Sequence, residues 1–78
     1  MFNWSEDYLP RYDATSCHLF YNQYTLRVDL NNTTDDVHLI IYIYGKNPEI
    51  LVKRDDFISV EMAKKFAERW LKMEFLIE

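Results

Sequence analysis

Val37-His38-Leu39-Ile40-Ile41-Tyr42-Ile43-Tyr44 decides how this chain folds. The run has no charge and no helix breaker, and it is dense in β-branched and aromatic side chains. That composition reads as a strand in the middle of a sheet, where such side chains pack well on a pleated surface. A strand this apolar needs cover on at least one face. In so short a chain, whatever supplies the cover sets the architecture.

Upstream of the run, Tyr24, Leu26, Val28 and Leu30 alternate with Thr25, Arg27 and Asp29, the period of a half-buried strand. Asn31-Asn32-Thr33-Thr34-Asp35-Asp36 is turn composition, and so short a link implies an antiparallel hairpin. Downstream, Gly45-Lys46-Asn47-Pro48 is a second turn leading into Glu49-Ile50-Leu51-Val52-Lys53 as a third strand, with Asp55 to Ile58 as a connection. Ser59 then suits a helix N-cap and Glu61 the first turn. Ala63, Phe66, Ala67, Trp70 and Leu71 follow at helical spacing, with Lys64, Lys65, Glu68, Arg69 and Lys72 on the other side. Glu61–Lys65 and Glu68–Lys72 have the i,i+4 spacing of supporting ion pairs. The tail from Met73 to Ile77 lacks a Gly stop and either extends the helix or folds back on the core.

The reading is therefore an α+β fold: a three-stranded antiparallel meander over 24–58 packed by one C-terminal amphipathic helix over 59–75. Residues 1–23 carry Trp4, Tyr8, Leu9, Tyr12, Leu19, Phe20 and Tyr21, too many large apolar groups for a solvated tail, while Pro10 opposes one continuous helix. They read as a docked, aromatic-rich N-terminal arm with a short helical turn or an extra strand at Cys17 to Tyr21. Phe66, Trp70, Val28, Leu39, Ile41 and Ile43 are expected in one core.

The 78 residues suffice for a single domain with one core. The net charge of −4 gives no electrostatic footprint for nucleic acid or an anionic membrane. The charge is uneven: Glu6, Asp7, Asp13, Asp29, Asp35 and Asp36 face only Arg11 and Arg27 in the first half. One cysteine, Cys17, excludes an internal disulfide framework and suits a reducing compartment. The start has neither a basic n-region nor an apolar h-region, so no secretory signal is expected. No apolar run approaches the roughly 20 residues that span a bilayer. The expected location is cytoplasmic.

Period two then exposes a problem. If Val37, Leu39, Ile41 and Ile43 face the helix together with Leu26, Val28, Ile50 and Val52, the second face of the sheet carries His38, Ile40, Tyr42 and Tyr44. Leu51 joins them, with Arg27, Asp29 and Lys53 around the edge. One helix cannot cover both faces, and the second is larger and more apolar than a soluble monomer leaves open. Three coverings are open: the arm with Trp4, Tyr8 and Tyr12, a second copy in a symmetric dimer, or a foreign partner.

Catalytic chemistry is not indicated. Cys17 and His18 are neighbours in sequence, and on a strand their side chains point to opposite faces. One Cys and two His without paired spacing do not make a zinc site. Asp35-Asp36 and Asp55-Asp56 read as solvated turn acids, and a single glycine supplies no phosphate loop. No enzyme, metal or cofactor is expected.

The β-β-β-α order and the junction Phe57-x-Ser59-x-Glu61-x-Ala63-Lys64-x-Phe66-Ala67 resemble many short proteins of bacteriophages and mobile elements. Some of these, certain anti-CRISPR proteins among them, inhibit a host machine by binding it. The resemblance implies a small protein-binding module that occupies a surface of a larger protein. The acidic first half would steer it to a basic target such as a nucleic-acid-handling enzyme. The candidate partner-binding set is His38, Ile40, Tyr42, Tyr44, Arg27, Asp29, Leu51 and Lys53. Two alternatives stand beside it. A nucleic-acid-binding sheet similar to integrase arm-binding domains would put Arg27, Lys46, Lys53 and Arg54 on phosphates, against the net charge. A homodimer would bury the face on itself. The basic helix residues Lys64, Lys65, Arg69 and Lys72 form a weaker rival surface.

Overall fold

A computed structural model describes residues 2–75. The order is β1 (Ser5–Leu9), β2 (Ala14–Tyr21), β3 (Tyr24–Asn31), β4 (Val37–Ile43), β5 (Glu49–Phe57) and α1 (Val60–Phe75). The strands form one antiparallel sheet in sequence order, and α1 lies across one face against β3, β4 and β5.

The α+β class, the antiparallel pairing and the single C-terminal helix are as the sequence suggests, but the sheet has five strands among the described residues instead of three. The N-terminal arm is itself the missing pair. Its turns avoid glycine: Asp13 between β1 and β2 has φ 46°, and Asn22 between β2 and β3 has φ 53°. Asn and Asp tolerate this left-handed region better than other residues with a Cβ. Asp35 does the same between β3 and β4 at φ 65°. Pro10 sits in the first of these turns, where a fixed φ is no handicap.

The core is Cys17 and Leu19 from β2, Leu26 and Val28 from β3, Val37, Leu39 and Ile41 from β4, and Ala63, Ala67 and Leu71 from α1. Two alanines on the contact stripe let the helix backbone come close to the sheet, while Phe66 and Trp70 flank it half-buried. Ile43, the last residue of β4, lies outside this core and is half-buried. Ser59 caps α1: its Oγ accepts from the Met62 N–H at 3.2 Å and its carbonyl from Ala63 at 3.2 Å. Residues 76–77 of the apolar tail lie outside the described residues.

Of the N-terminal aromatics, Phe2, Trp4 and Tyr21 dock on the helix side and do not cover the second face. Trp4 Nε1 donates to Glu68 Oε2 at 2.7 Å, and Lys64 Nζ sits 5.7 Å from the centre of the indole. Phe2 meets Tyr21 edge-on, and Tyr21 and Tyr24 in turn pack on Phe75. Tyr8 and Tyr12 stay exposed. Glu68 thus spends its carboxylate on Trp4. The ion pairs among the described residues are Arg27–Asp29 and Arg54–Asp56, not the helical i,i+4 pairs.

The third strand of the sequence reading is longer than expected. β5 runs on to Phe57 with two bulges, one at Leu51 and one between Arg54 and Phe57. The second bulge absorbs an extra residue so that Phe57 stands opposite Val37 and packs on Phe66, ring centres 5.5 Å apart. Bulges and charges on this exposed edge also discourage pairing with another chain.

Candidate functional site

Antiparallel partners share a face, so the register sorts the side of the sheet away from α1 into rows that cross the strands. Phe20, Thr25, Tyr42 and Ile50 make an apolar row. Ser5, His18, Arg27, Ile40 and Lys53 make the second, which holds the cations. Asp7, Ser16, Asp29 and His38 make a third row, which holds two carboxylates. Among the described residues no helix or strand packs on this face. Phe20 is 69% exposed, Ile50 54% and Tyr44 79%. Only the small side chains Ser16 and Thr25 are buried, shielded by their larger neighbours.

Arg27, Asp29, His38, Ile40 and Lys53 converge, with Asp55, on one open concavity of about 660 Å³. Five of the eight expected residues therefore share one place. Tyr42 lies beside it in the apolar row. Tyr44 lies past the end of β4, where its N–H reaches the Gln23 carbonyl at 3.3 Å, and borders a second concavity of about 360 Å³ with Phe20 and Thr25. Leu51 is displaced: it is the unpaired residue of the bulge, and Ile50, expected on the helix side, takes the place opposite Tyr42. An added residue in an edge strand reverses the faces beyond it. Ser16, His18 and Phe20 went unassigned to this face. Their alternation with Cys17, Leu19 and Tyr21 was the available signal.

The polar part of the face is knit together. Asp29 Oδ1 accepts from Ser16 Oγ at 2.6 Å and from Arg27 Nε at 3.0 Å, and Asp29 Oδ2 lies 2.9 Å from the same nitrogen. His18 Nε2 is 3.4 Å from Ser16 Oγ, and its ring is parallel to Phe20 with centres 6.2 Å apart. Serine, histidine and aspartate meet here, but in the wrong order for nucleophilic catalysis. The hydroxyl stands between the other two, it donates its hydrogen bond to the carboxylate, and no carboxylate among the described residues orients the imidazole. Ser16 is also 1% exposed.

Arg54 leaves the group proposed for phosphates. It stands opposite Leu39 on the helix face, its guanidinium carbon 4.8 Å from the ring centres of both Phe57 and Phe66. Its Nη2 is 2.6 Å from Asp56 Oδ2, a bond that raises the guanidinium pKa and holds the Asp56 carboxyl below its ordinary value. Cys17 is buried on the helix side, and burial pushes its thiol up, away from the reactive thiolate. Among the described residues no three His, Cys, Asp or Glu side chains are grouped to hold a metal ion, and no helix is long and apolar enough to cross a membrane.

Neither a family model, a curated protein nor a solved structure matches the chain.

Proposed function

We propose that this chain is a small non-enzymatic protein-binding module, an inhibitor of phage or mobile-element origin that acts in the host cytoplasm by occupying a surface of a larger host protein. It docks through the open face of the sheet. The observation that carries the reading is that Phe20, Tyr44 and Ile50 stand more than half exposed on a face that no helix or strand covers among the described residues. Aromatic side chains beside Arg27 are the composition of interface hot spots. The phage origin rests on the resemblance of β3 to α1 alone, since β1 and β2 extend the β-β-β-α layout. The acidic excess supports a basic target, nucleic-acid-handling enzymes included. Nucleic acid itself is the weaker reading, because Arg54 is turned to Phe57 and Phe66 and paired with Asp56, and the net charge is −4.

The test immobilises the full chain beside Tyr42→Ser and Tyr44→Ala variants of matched melting temperature and passes nuclease-treated host lysate over each. One stoichiometric protein held by the parent and lost by the variants supports the reading. Equal retention by all three, or recovery of nucleic acid alone when nuclease is omitted, overturns it. A concentration-dependent doubling of mass in solution, abolished by the same variants, assigns the face to a second copy and overturns it as well.

A further inference from the structure

We infer that the open face contains a subsite for a single carboxylate: a partner protein seats one Asp or Glu side chain between Arg27 and Lys53, with its neighbouring large apolar side chains against Tyr42 and Ile50. The inference rests on the reading of this face as a protein-docking surface and names the chemistry of what docks there.

Ile40 is the cross-strand neighbour of both cations, Arg27 on one side and Lys53 on the other. At the usual spacing of strands their backbones lie about 10 Å apart, so two long side chains converge on an anion held above the isoleucine. Arg27 is positioned in advance. Asp29 holds its Nε at 2.9–3.0 Å, and among the described residues the two terminal nitrogens have no protein partner. Lys53 has no acidic partner within ion-pairing distance among the described residues. A planar guanidinium fixed at one nitrogen is well suited to take a carboxylate with the others.

The surroundings select a lone carboxylate over a polyanion. The cationic row is one residue wide. Along one side runs the row of Asp7 and Asp29, with Asp55 lining the same concavity, and along the other the apolar row of Tyr42 and Ile50. A nucleic-acid backbone crossing this face in any direction meets carboxylates or apolar side chains within a residue or two, on a protein of net charge −4. A peptide that alternates acidic and apolar residues meets complementary groups. The overall charge governs approach to a basic partner, and this subsite governs how the partner seats.

The test sorts a displayed library of random linear peptides against the full chain, and in parallel against Lys53→Glu, Lys53→Gln and Tyr42→Ser. Lys53 is exposed, so changing its charge leaves the core intact. The parent is expected to enrich peptides with Asp or Glu flanked by Phe, Leu, Ile or Trp. Lys53→Gln should lower that acidic preference about fivefold, the scale of one partly exposed charge contact, and Lys53→Glu should replace it with Lys or Arg. Peptides that depend on Tyr42 but show no acidic preference and ignore Lys53 overturn the subsite and leave the docking surface standing. A pool indifferent to all three variants overturns both.

Discussion

Trp4→Phe tests the placement on which the functional reading depends, that Trp4 serves the helix side of the sheet. The substitution keeps a ring and removes one indole N–H, which donates at 2.7 Å to a part-buried Glu68 carboxylate. A hydrogen bond to a charged acceptor is worth about 1.5–3 kcal/mol, and partial solvent access at Glu68 lowers that to about 1–2 kcal/mol. In a domain of this size each kcal/mol moves Tm by about 4–8 °C, so Trp4→Phe should melt about 4–16 °C below the parent. Chemical denaturation of the parent, Trp4→Phe, Glu68→Ala and the double variant closes a cycle, with an expected coupling of about 1 kcal/mol. A coupling inside about 0.3 kcal/mol, the limit for independent sites, refutes the contact. Coupling of Trp4 to Tyr42 in its place would put the aromatic arm over the open face and remove the surface proposed for the partner.

Leu39→Ala should cost about 3–5 kcal/mol, close to the whole stability of a small domain, because Leu39 is fully buried under α1; Tyr44→Ala, 79% exposed, should stay within about 0.5 kcal/mol of the parent in the same urea titration. Asn22→Gly should melt at or above the parent, while Asn22→Val should lose about 1–2 kcal/mol, the cost of a Cβ-branched residue at positive φ; equal melting of the two would show that this turn is not left-handed. Burial raises the Cys17 pKa above its ordinary 9.0, so the thiol's contribution is intact below pH 9 and is lost as pH rises through the higher folded value. Stability measured against pH should therefore fall on the alkaline side, less steeply in Cys17→Ala, and alkylation of Cys17 at pH 8 should wait on unfolding.

Much of the candidate site was legible because a strand's period is short and strict. Once Val37, Leu39 and Ile41 face the helix, His38, Ile40 and Tyr42 have nowhere to go but the other side, and their neighbours Arg27, Asp29 and Lys53 follow from simple hairpins. The errors in placing strands sit where that period is interrupted. Ile50 took the place expected of Leu51, which is left unpaired, because a bulge adds a residue without leaving a compositional mark. β1 was hidden, and β2 was read only as a possible extra strand at Cys17 to Tyr21, because their turns use Asp13 and Asn22 in place of the glycines that usually announce a hairpin. Nothing local in Trp4 distinguishes a ring that covers the sheet from one that reaches the helix.

The chain's own pattern of side chains determined the central strand, the α+β class, the capped helix with its two-alanine contact stripe, and the existence of a second sheet face rich in tyrosine. These are short-range consequences of periodicity and capping, and a linear reading contains them. Only the tertiary structure decided that five strands share the sheet, that Trp4 spends its indole on Glu68, and that the second face has no covering element among the described residues. Those outcomes depend on contacts between residues far apart in sequence. Trp4 and Glu68, 64 positions apart, meet only after β1 and β2 have joined the edge of the sheet and α1 has crossed its face.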